Sequence, residues 1–436
     1  MSDGIVRFRG TIAGLAPEAL RALLERQLPD PAPVRAAVSR LIDAVRSRGD
    51  QAVRELTLEF DRISLVDLEV PQASWRAALH RLAAPVRTAL ERAARNIERA
   101  HRAWLPIGAV VETEPGITLE RRAFPLARVG VYAPGGRAIY PSSVLMGAVP
   151  AKVAGVGEVV ICSPAGPDGI PADPILAAAE LARADRVFAI GGVQAIAAMA
   201  FGTESVPRVD RIVGPGNAYV MEAKLQLADR VSIDSPAGPS EILIIADSTT
   251  PAELVARELV AQAEHDPRAV AVAVMLGAPA VAEPVERALR DLARRSPRAE
   301  IVGAALGALG AVLSVPDLEE AIRFANALAP EHLLLACDSA AEARDRFQVA
   351  GAVFVGAASS VVFGDYLTGA NHVLPTAGLA RSYSGLGPGD FVRWTTYQTI
   401  TKASARRLGH DTAVLATAEG LPGHAAAARF WEEESP

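Results

Sequence analysis

The sequence predicts an α/β protein of two parallel-sheet lobes, preceded by a helical lead-in and followed by a helical tail. Three observations predict it. From residue 127 onward, short apolar runs alternate with Ala-rich helical stretches, the pattern of βα units around a parallel sheet. The alternation occurs twice, in 127–240 and in 241–380, without a residue-level repeat between the halves. Glycine-rich turns follow many of the strand-like runs, as in Rossmann-like sheets, where ligands lie at the carboxyl ends of strands.

Taken in order, residues 1–35 form an N-terminal segment. Residues 36–126 read as a helical lead-in packed with the second lobe, because apolar residues recur three and four apart in LIDAVRSRGDQAVREL and VRTALERAARNIERAHRAWL. The first lobe, 127–240, carries RVGVY, PSSVLMGAVPAKVAG, EVVICS, PILAAAELARA and VFAIGG. The second, 241–380, carries EILIIAD, AELVARELVAQAEHD, RAVAVAVML, LEEAIRFANALA, HLLLA and GAVFVG. The last stretch, 381–436, reads as a helical tail through TTYQTITKASARR and TAVLATAEGLPGHAAAARFWEEE, with an apolar face too narrow to fold alone.

The 436 residues are 50% hydrophobic, enough for more than one core. The start, MSDGIVRFRG, lacks a basic stretch leading into an apolar one, and no run of about 18 apolar residues follows, so the chain reads as cytoplasmic with no membrane partner. Its two cysteines, Cys162 and Cys337, sit in apolar runs and read as buried reduced thiols, which leaves any metal to nitrogen and oxygen ligands. A net charge of −6, with arginines scattered over helical surfaces, argues against nucleic acid as a partner.

Four glycine-rich loops stand out: YAPGGR (132–137), GGVQA (191–195), VGPGNAY (213–219) and SPAGPSE (235–241). None matches GxGxxG with an acidic residue about 20 positions on, so each alone is weak. Of the seven histidines, His80 and His101 lie in the arginine-rich lead-in and His410 follows a glycine in a polar turn, where none needs a role. His265 shares a helix face with Gln262, three residues before it, and on spacing alone reads as a helix-terminal histidine stabilised by the dipole. Its company raises a functional reading: Asp365, His372 and His424 lie in small-residue loops, and imidazole, carboxylate and amide donors suit a Zn²⁺ ion with an open position. Glu331-His332 follows a proline at the mouth of a strand. An arbitrary pair of this kind is an exposed Glu beside a half-buried His, yet alcohol oxidation needs a base for the hydroxyl proton and an aldehyde needs activated water, tasks that suit His and a Glu of raised pKa.

Together these segments resemble the histidinol dehydrogenase family over nearly the whole chain, through GVYAPGG, VGPGNAYV, PAGPSEILIIAD, AQAEHDP, APEHL, GDYLTGANHVLPT and ATAEGLPGH in the family's order. The resemblance implies four-electron oxidation of L-histidinol to L-histidine through the aldehyde, with two NAD used in sequence. It implies His332 as base in the alcohol step and Glu331 as activator of water in the aldehyde step. It implies zinc on Gln262, His265, Asp365 and His424, and substrate held by Ser240, Glu419, His332 and the zinc ligands, with His372 nearby. NAD would meet Tyr132, Gln194 and Asn217, making the first lobe the NAD side and the second the metal and catalytic side. A homodimer is implied in which the tail crosses over, so that Glu419 and His424 complete the partner's site. Where the family often has SSGLSVxDF, this chain has SYSGLGPGDF (382–391), which changes the expected packing there and touches none of the carried residues. Rival readings are a related zinc and NAD dehydrogenase acting on another small alcohol, such as a sulfonated diol, and a zinc hydrolase in which the glycine-rich loops would have no task.

Overall fold

The computed structural model describes residues 5–26, 32–135, 139–236 and 238–433, so Gly136 and Arg137 of YAPGGR and Ala237 of SPAGPSE lie outside the described residues. The chain divides into two compact units, one of Met1–Trp104 with Ala127–Phe391, the other of Leu105–Leu126 with Val392–Pro436.

The larger unit holds two parallel sheets. In the first, the strands run Arg186–Phe188, Glu158–Cys162, Arg128–Tyr132, Arg211–Val213, Ser232–Ile233. In the second the order is Phe8–Thr11, Ala311–Val315, Val270–Leu276, Glu241–Ala246, His332–Leu335, Ala352–Val355. Numbered from the first strand of each lobe, both read 3-2-1-4-5, a doubly wound order whose direction reverses between strands 1 and 4. The two expected lobes are therefore alike in topology. The interiors of the central strands are apolar because both faces are covered: Ile242, Ile244 and Ala246 fill the core on one side, Leu243 and Ile245 that on the other.

Three sequence expectations change. The N-terminal segment supplies an edge strand, Phe8–Thr11, paired in parallel with Ala311–Val315. The lead-in helices from Ala32–Arg48 to Ala84–Ala103 pack chiefly on the helices of the first lobe rather than the second. Their targets explain this: the helix Gly192–Phe201 is apolar almost all round and needs cover on the side away from the sheet. The helix Ala84–Ala103 also meets the second lobe, where Asn96 Nδ2 donates to the Leu367 carbonyl at 2.7 Å. Finally, neither 36–126 nor the tail is wholly helical. Ala109–Glu114, Ile117–Pro125 and Val392–Ile400 form an antiparallel sheet, because ITLERRAFP and VRWTTYQTI are rich in the β-branched and aromatic residues that suit a pleated surface.

In the smaller unit, cation–π stacks of Arg121 on Trp394 (4.4 Å) and Arg122 on Tyr397 (5.1 Å) tie the strands side by side. The helices Lys402–Ala418 and Pro422–Glu433 meet through Ala413, Ala416, Ala425 and Ala428. His410 lies exposed within the first of these helices and not in a turn, because Gly409 before it packs against the second helix instead of breaking the first. The SYSGLGPGDF departure, in the larger unit, folds into a 3-10 turn over Pro388–Phe391 that buries Phe391 and lets Asp390 accept from Arg211 at 2.9 Å.

One buried ion pair organises the turn after Arg211–Val213. Lys224, fully buried, pairs with Asp234 and donates to the Gly214 carbonyl at 3.0 Å, while the Gly214 N–H donates to Asp234 at 2.8 Å. Gly214 has φ +114, and a Cβ there would lie 2.1 Å from the Tyr132 carbonyl oxygen, so no other residue fits. Removing one partner strands the other charge in the core. Lys224→Met is expected to lower stability by about 3–5 kcal/mol, read as a shift of the urea midpoint; a loss under about 1 kcal/mol, the scale of exposed pairs, would show that the pair is not desolvated.

Candidate active site

The first sheet obeys the carboxyl-end rule: the loops opening at Tyr132, Gly191 and Val213 follow the ends of its strands. The second sheet does not. Ser240, Glu331 and His332 lie at the amino ends of Glu241–Ala246 and His332–Leu335, adjacent strands paired His332 to Ile242. The connection decides this, since residues 234–240 leave the carboxyl end of Ser232–Ile233 and enter the second sheet at an amino end. The carboxyl edge of one sheet is thereby linked to the amino edge of the other.

Glu331 and His332 emerge from a tight turn. The helix Leu318–Leu328 stops at Ala329, left-handed at φ 51, and Pro330 cannot continue it. Both residues of the pair are buried, at 6% and 3% exposure, contrary to the reading of such a dipeptide as an exposed Glu. Glu331 Oε2 accepts from Ser240 Oγ at 2.5 Å and from the Glu241 N–H at 2.7 Å. His332 Nδ1 lies 2.8 Å from the Glu241 carbonyl oxygen, which can only accept, so Nδ1 carries a proton. Nε2 is left toward Asp365, 3.5 Å from Oδ1 and too far for a good hydrogen bond.

Electrostatics follow from burial and crowding. Burial pushes the Glu331 carboxyl up, against the pull of His332 and Ser240. Burial alone would lower His332, but Glu331 and Asp365 outweigh it and raise the imidazole to about 9. Asp365, also disfavoured by burial as an anion, is held below its ordinary range by His332, His372 and His265 around it. Burial lowers His372, whose Nδ1–H donates to the Asp365 carbonyl at 2.9 Å.

Asp365 lies on the short helix Val361–Tyr366, which packs on Ala252–Ala263, the helix carrying Gln262. That helix ends at Ala263, so His265 stands beyond its C-cap, exposed, with Nδ1 3.2 Å from the Gln262 carbonyl oxygen. Gln262 is 3% exposed, and its Nε2 has no partner among the described residues. The amide oxygen of the buried Gln262, the Asp365 carboxylate with its imidazole neighbours and the imidazole of His265 are donor types that suit a borderline divalent cation. No three His, Cys, Asp or Glu among the described residues form a metal cluster by themselves. His424, in the first turn of Pro422–Glu433, and Glu419, at the C-cap of Lys402–Ala418, belong to the smaller unit and are exposed.

The three NAD candidates have structural tasks too. Tyr132 is 4% exposed, its hydroxyl accepting from the Gly192 N–H at 3.1 Å, and burial pushes it up to about 12. Gln194 is buried in the first turn of Gly192–Phe201. Asn217 is exposed and caps Ala218–Gln226, accepting from the N–H groups of Tyr219 and Val220 at 3.0 and 3.1 Å. The loops thus stand at helix N-termini, where backbone N–H groups and the helix dipole favour a pyrophosphate.

Sequence reasoning missed three residues. His101 is fully buried, with Nδ1 bonded to the Ile97 carbonyl and Nε2 3.4 Å from Asn371 of the GANH loop. Glu241 and Arg26 form a buried pair at 2.8 Å behind the site. A carboxylate heading the otherwise apolar strand EILIIA is the signal that could have found Glu241.

Residues 24–431 match the family model described as histidinol dehydrogenase. The chain is 45% identical over 393 residues to histidinol dehydrogenase of Methanosarcina barkeri, covering 90% of each, and 44% identical over 438 aligned positions to that of Burkholderia lata, covering 99% of each. The crystal structure of histidinol dehydrogenase from Elizabethkingia anophelis superposes with a TM-score of 0.94 at 32% identity, covering 99% of both chains. Fold, strand-end placement of the buried Glu-His pair and near full-length likeness agree: the chain belongs to the histidinol dehydrogenase family.

Proposed function

We propose that this chain oxidises L-histidinol to L-histidine through the aldehyde, as the last steps of histidine biosynthesis, with Glu331 and His332 as its reaction centre. The observation that carries this is the buried pair itself, with Glu331 fixed by Ser240 and Glu241 and His332 left with Nε2 free of a hydrogen bond among the described residues. NAD supplies the hydride acceptor in each step, and zinc supplies a cationic anchor for the substrate's imidazole and amino groups.

His332 Nε2 takes the hydroxyl proton as the carbinol carbon loses hydride. Asp365 both raises His332 and belongs to the proposed ligand set, so neutralising its charge lowers His332 toward the range of a base at neutral pH. In the second step Glu331, raised by burial, takes a proton from water as oxygen adds to the aldehyde carbon. Ser240 holds that carboxylate and, with His372, borders the substrate. Gln262, His265 and Asp365 are the zinc ligands from one chain; His424, with Glu419 for the substrate, comes from a second copy in a homodimer. Tyr132, Gln194 and Asn217 shape the dinucleotide loops. No helix among the described residues is long and apolar enough to cross a membrane, and a cytoplasmic enzyme is the proposed setting.

The direct test is an assay with purified protein, zinc and NAD, where two NADH are expected per histidinol consumed; one or none would reject four-electron oxidation. For the ligand set, His265→Asn is expected to lose stoichiometric zinc after dialysis, with metal affinity down about 10-fold or more. Full retention in elemental analysis would remove His265 from the set. For the shared site, an inactive His424→Ala protein mixed with inactive His265→Ala is expected to recover up to a quarter of activity on subunit exchange, because random pairing restores one site in half the dimers. With exchange verified, no recovery would mean each site is built within one chain.

A further inference from the structure

Beside the catalytic pair, the buried ion pair of Arg26 and Glu241 holds both ends of the turn that presents Glu331. Arg26 Nη1 donates to the Leu328 carbonyl at 2.8 Å, at the last residue of the preceding helix. The Glu331 N–H points to Glu241 Oε2 at 3.3 Å. Between them, Arg26 Nε meets Glu241 Oε1 at 2.8 Å, and the same oxygen accepts from the Ala377 N–H at 2.8 Å, tying in the segment that follows the GANH loop. The Glu241 main chain completes the grip, its N–H on the Glu331 carboxylate and its carbonyl on His332 Nδ1.

A second observation is independent of these bonds. Five non-glycine residues among those described have positive φ, and three of them belong to this clamp: Arg26 (φ 45), Ala329 (φ 51) and Ala377 (φ 54). Left-handed backbone is costly for residues with a Cβ and persists where the surroundings impose it, most often at functional sites. Here Arg26 bends back to reach Glu241, Ala329 makes the turn between the two clamped groups, and Ala377 turns its N–H onto the carboxylate.

We propose that Arg26 and Glu241 are positioning residues for the oxidation, holding Glu331 where it serves the aldehyde step. The pair touches no reacting atom; it acts through the turn 328–331. This rests on the assignment of water activation to Glu331. Because the Glu331 backbone is gripped by the Glu241 side chain, whereas His332 is gripped by the Glu241 carbonyl, which any side chain leaves in place, losing the ion pair falls harder on the second oxidation than on the first.

The test uses the zinc-loaded enzyme and measures the two oxidations separately, from histidinol and from supplied aldehyde, for Glu241→Gln, Arg26→Gln, the charge-neutral double variant and Arg26→Lys. The expected result is a fall of at least 10-fold in the ratio of second-step to first-step rate for Glu241→Gln and Arg26→Gln, with KM for histidinol and zinc content within twofold, and partial recovery in Arg26→Lys. A role only in folding would lower both rates together and leave the ratio unchanged, and that outcome overturns the proposal. If a single variant does not fold, the double variant, which leaves no lone buried charge, decides by the same ratio. Glu331→Gln in the same assay separates the two ideas. A normal second step there rejects the assignment of Glu331, whereas a slow second step there with normal ratios in the clamp variants rejects the clamp alone.

Discussion

Glu331→Gln is expected to leave oxidation of histidinol to the aldehyde measurable while slowing the aldehyde step by about 10²- to 10⁴-fold, the usual worth of a positioned general base. The amide keeps the shape of the side chain and an oxygen to accept from Ser240 Oγ and the Glu241 N–H, so the turn and strand should survive. What it loses is proton affinity. Burial raises that affinity in the native carboxyl, which keeps it effective against water near neutral pH. Rapid-quench analysis of single turnovers should show aldehyde accumulating and the NADH yield per histidinol falling from two toward one. An unimpaired second step would assign water activation elsewhere.

For His332→Asn the larger loss should move to the first step, by a similar factor of about 10²–10⁴ in kcat, because Nε2 is the nitrogen left for the hydroxyl proton once Nδ1 is committed to the Glu241 carbonyl. Asn preserves a donor near that carbonyl and removes the base. The same variant tests the electrostatics without turnover. In metal-free protein His332 is raised from 6.5 to about 9, so its contribution to stability is fully present below pH 6.5 and is lost as pH rises through 9. Wild-type stability relative to His332→Asn should therefore fall by about 3 kcal/mol between pH 6 and pH 10, since each tenfold gain in proton affinity on folding is worth about 1.4 kcal/mol. Urea midpoints of both proteins in chelator measure it, and parallel pH profiles would show that the imidazole is not lifted by its carboxylates.

Several site features were legible in the residues because local chemistry carries them. The apolar runs EILIIA and VAVAVML read as strands of a parallel sheet, and they pair side by side within the second one. Gln262 does lie in the last turn of its helix, with His265 just beyond the C-cap instead of on the helix face, and Cys162 and Cys337 are buried free thiols. The hairpin 109–125 and its partner Val392–Ile400 read as helix in the sequence because their charged, polar faces hide a period of two among β-branched residues, and strand pairing joins segments some 270 positions apart by number.

Local patterning thus determined the α/β class, the two lobes, the glycine-rich loops and, through ordered motifs, the family. Tertiary structure decided what depends on contacts distant in sequence. It buried a Glu-His pair that alone reads as surface, because strand pairing set Glu241 beside it. It moved that pair to the amino edge of its sheet through the 234–240 connection. It also turned Arg26, more than 300 residues away, into a brace for the same turn. Propensity and periodicity act over a few residues, whereas burial, proton affinity and charge pairing are properties of neighbours that only the folded chain brings together.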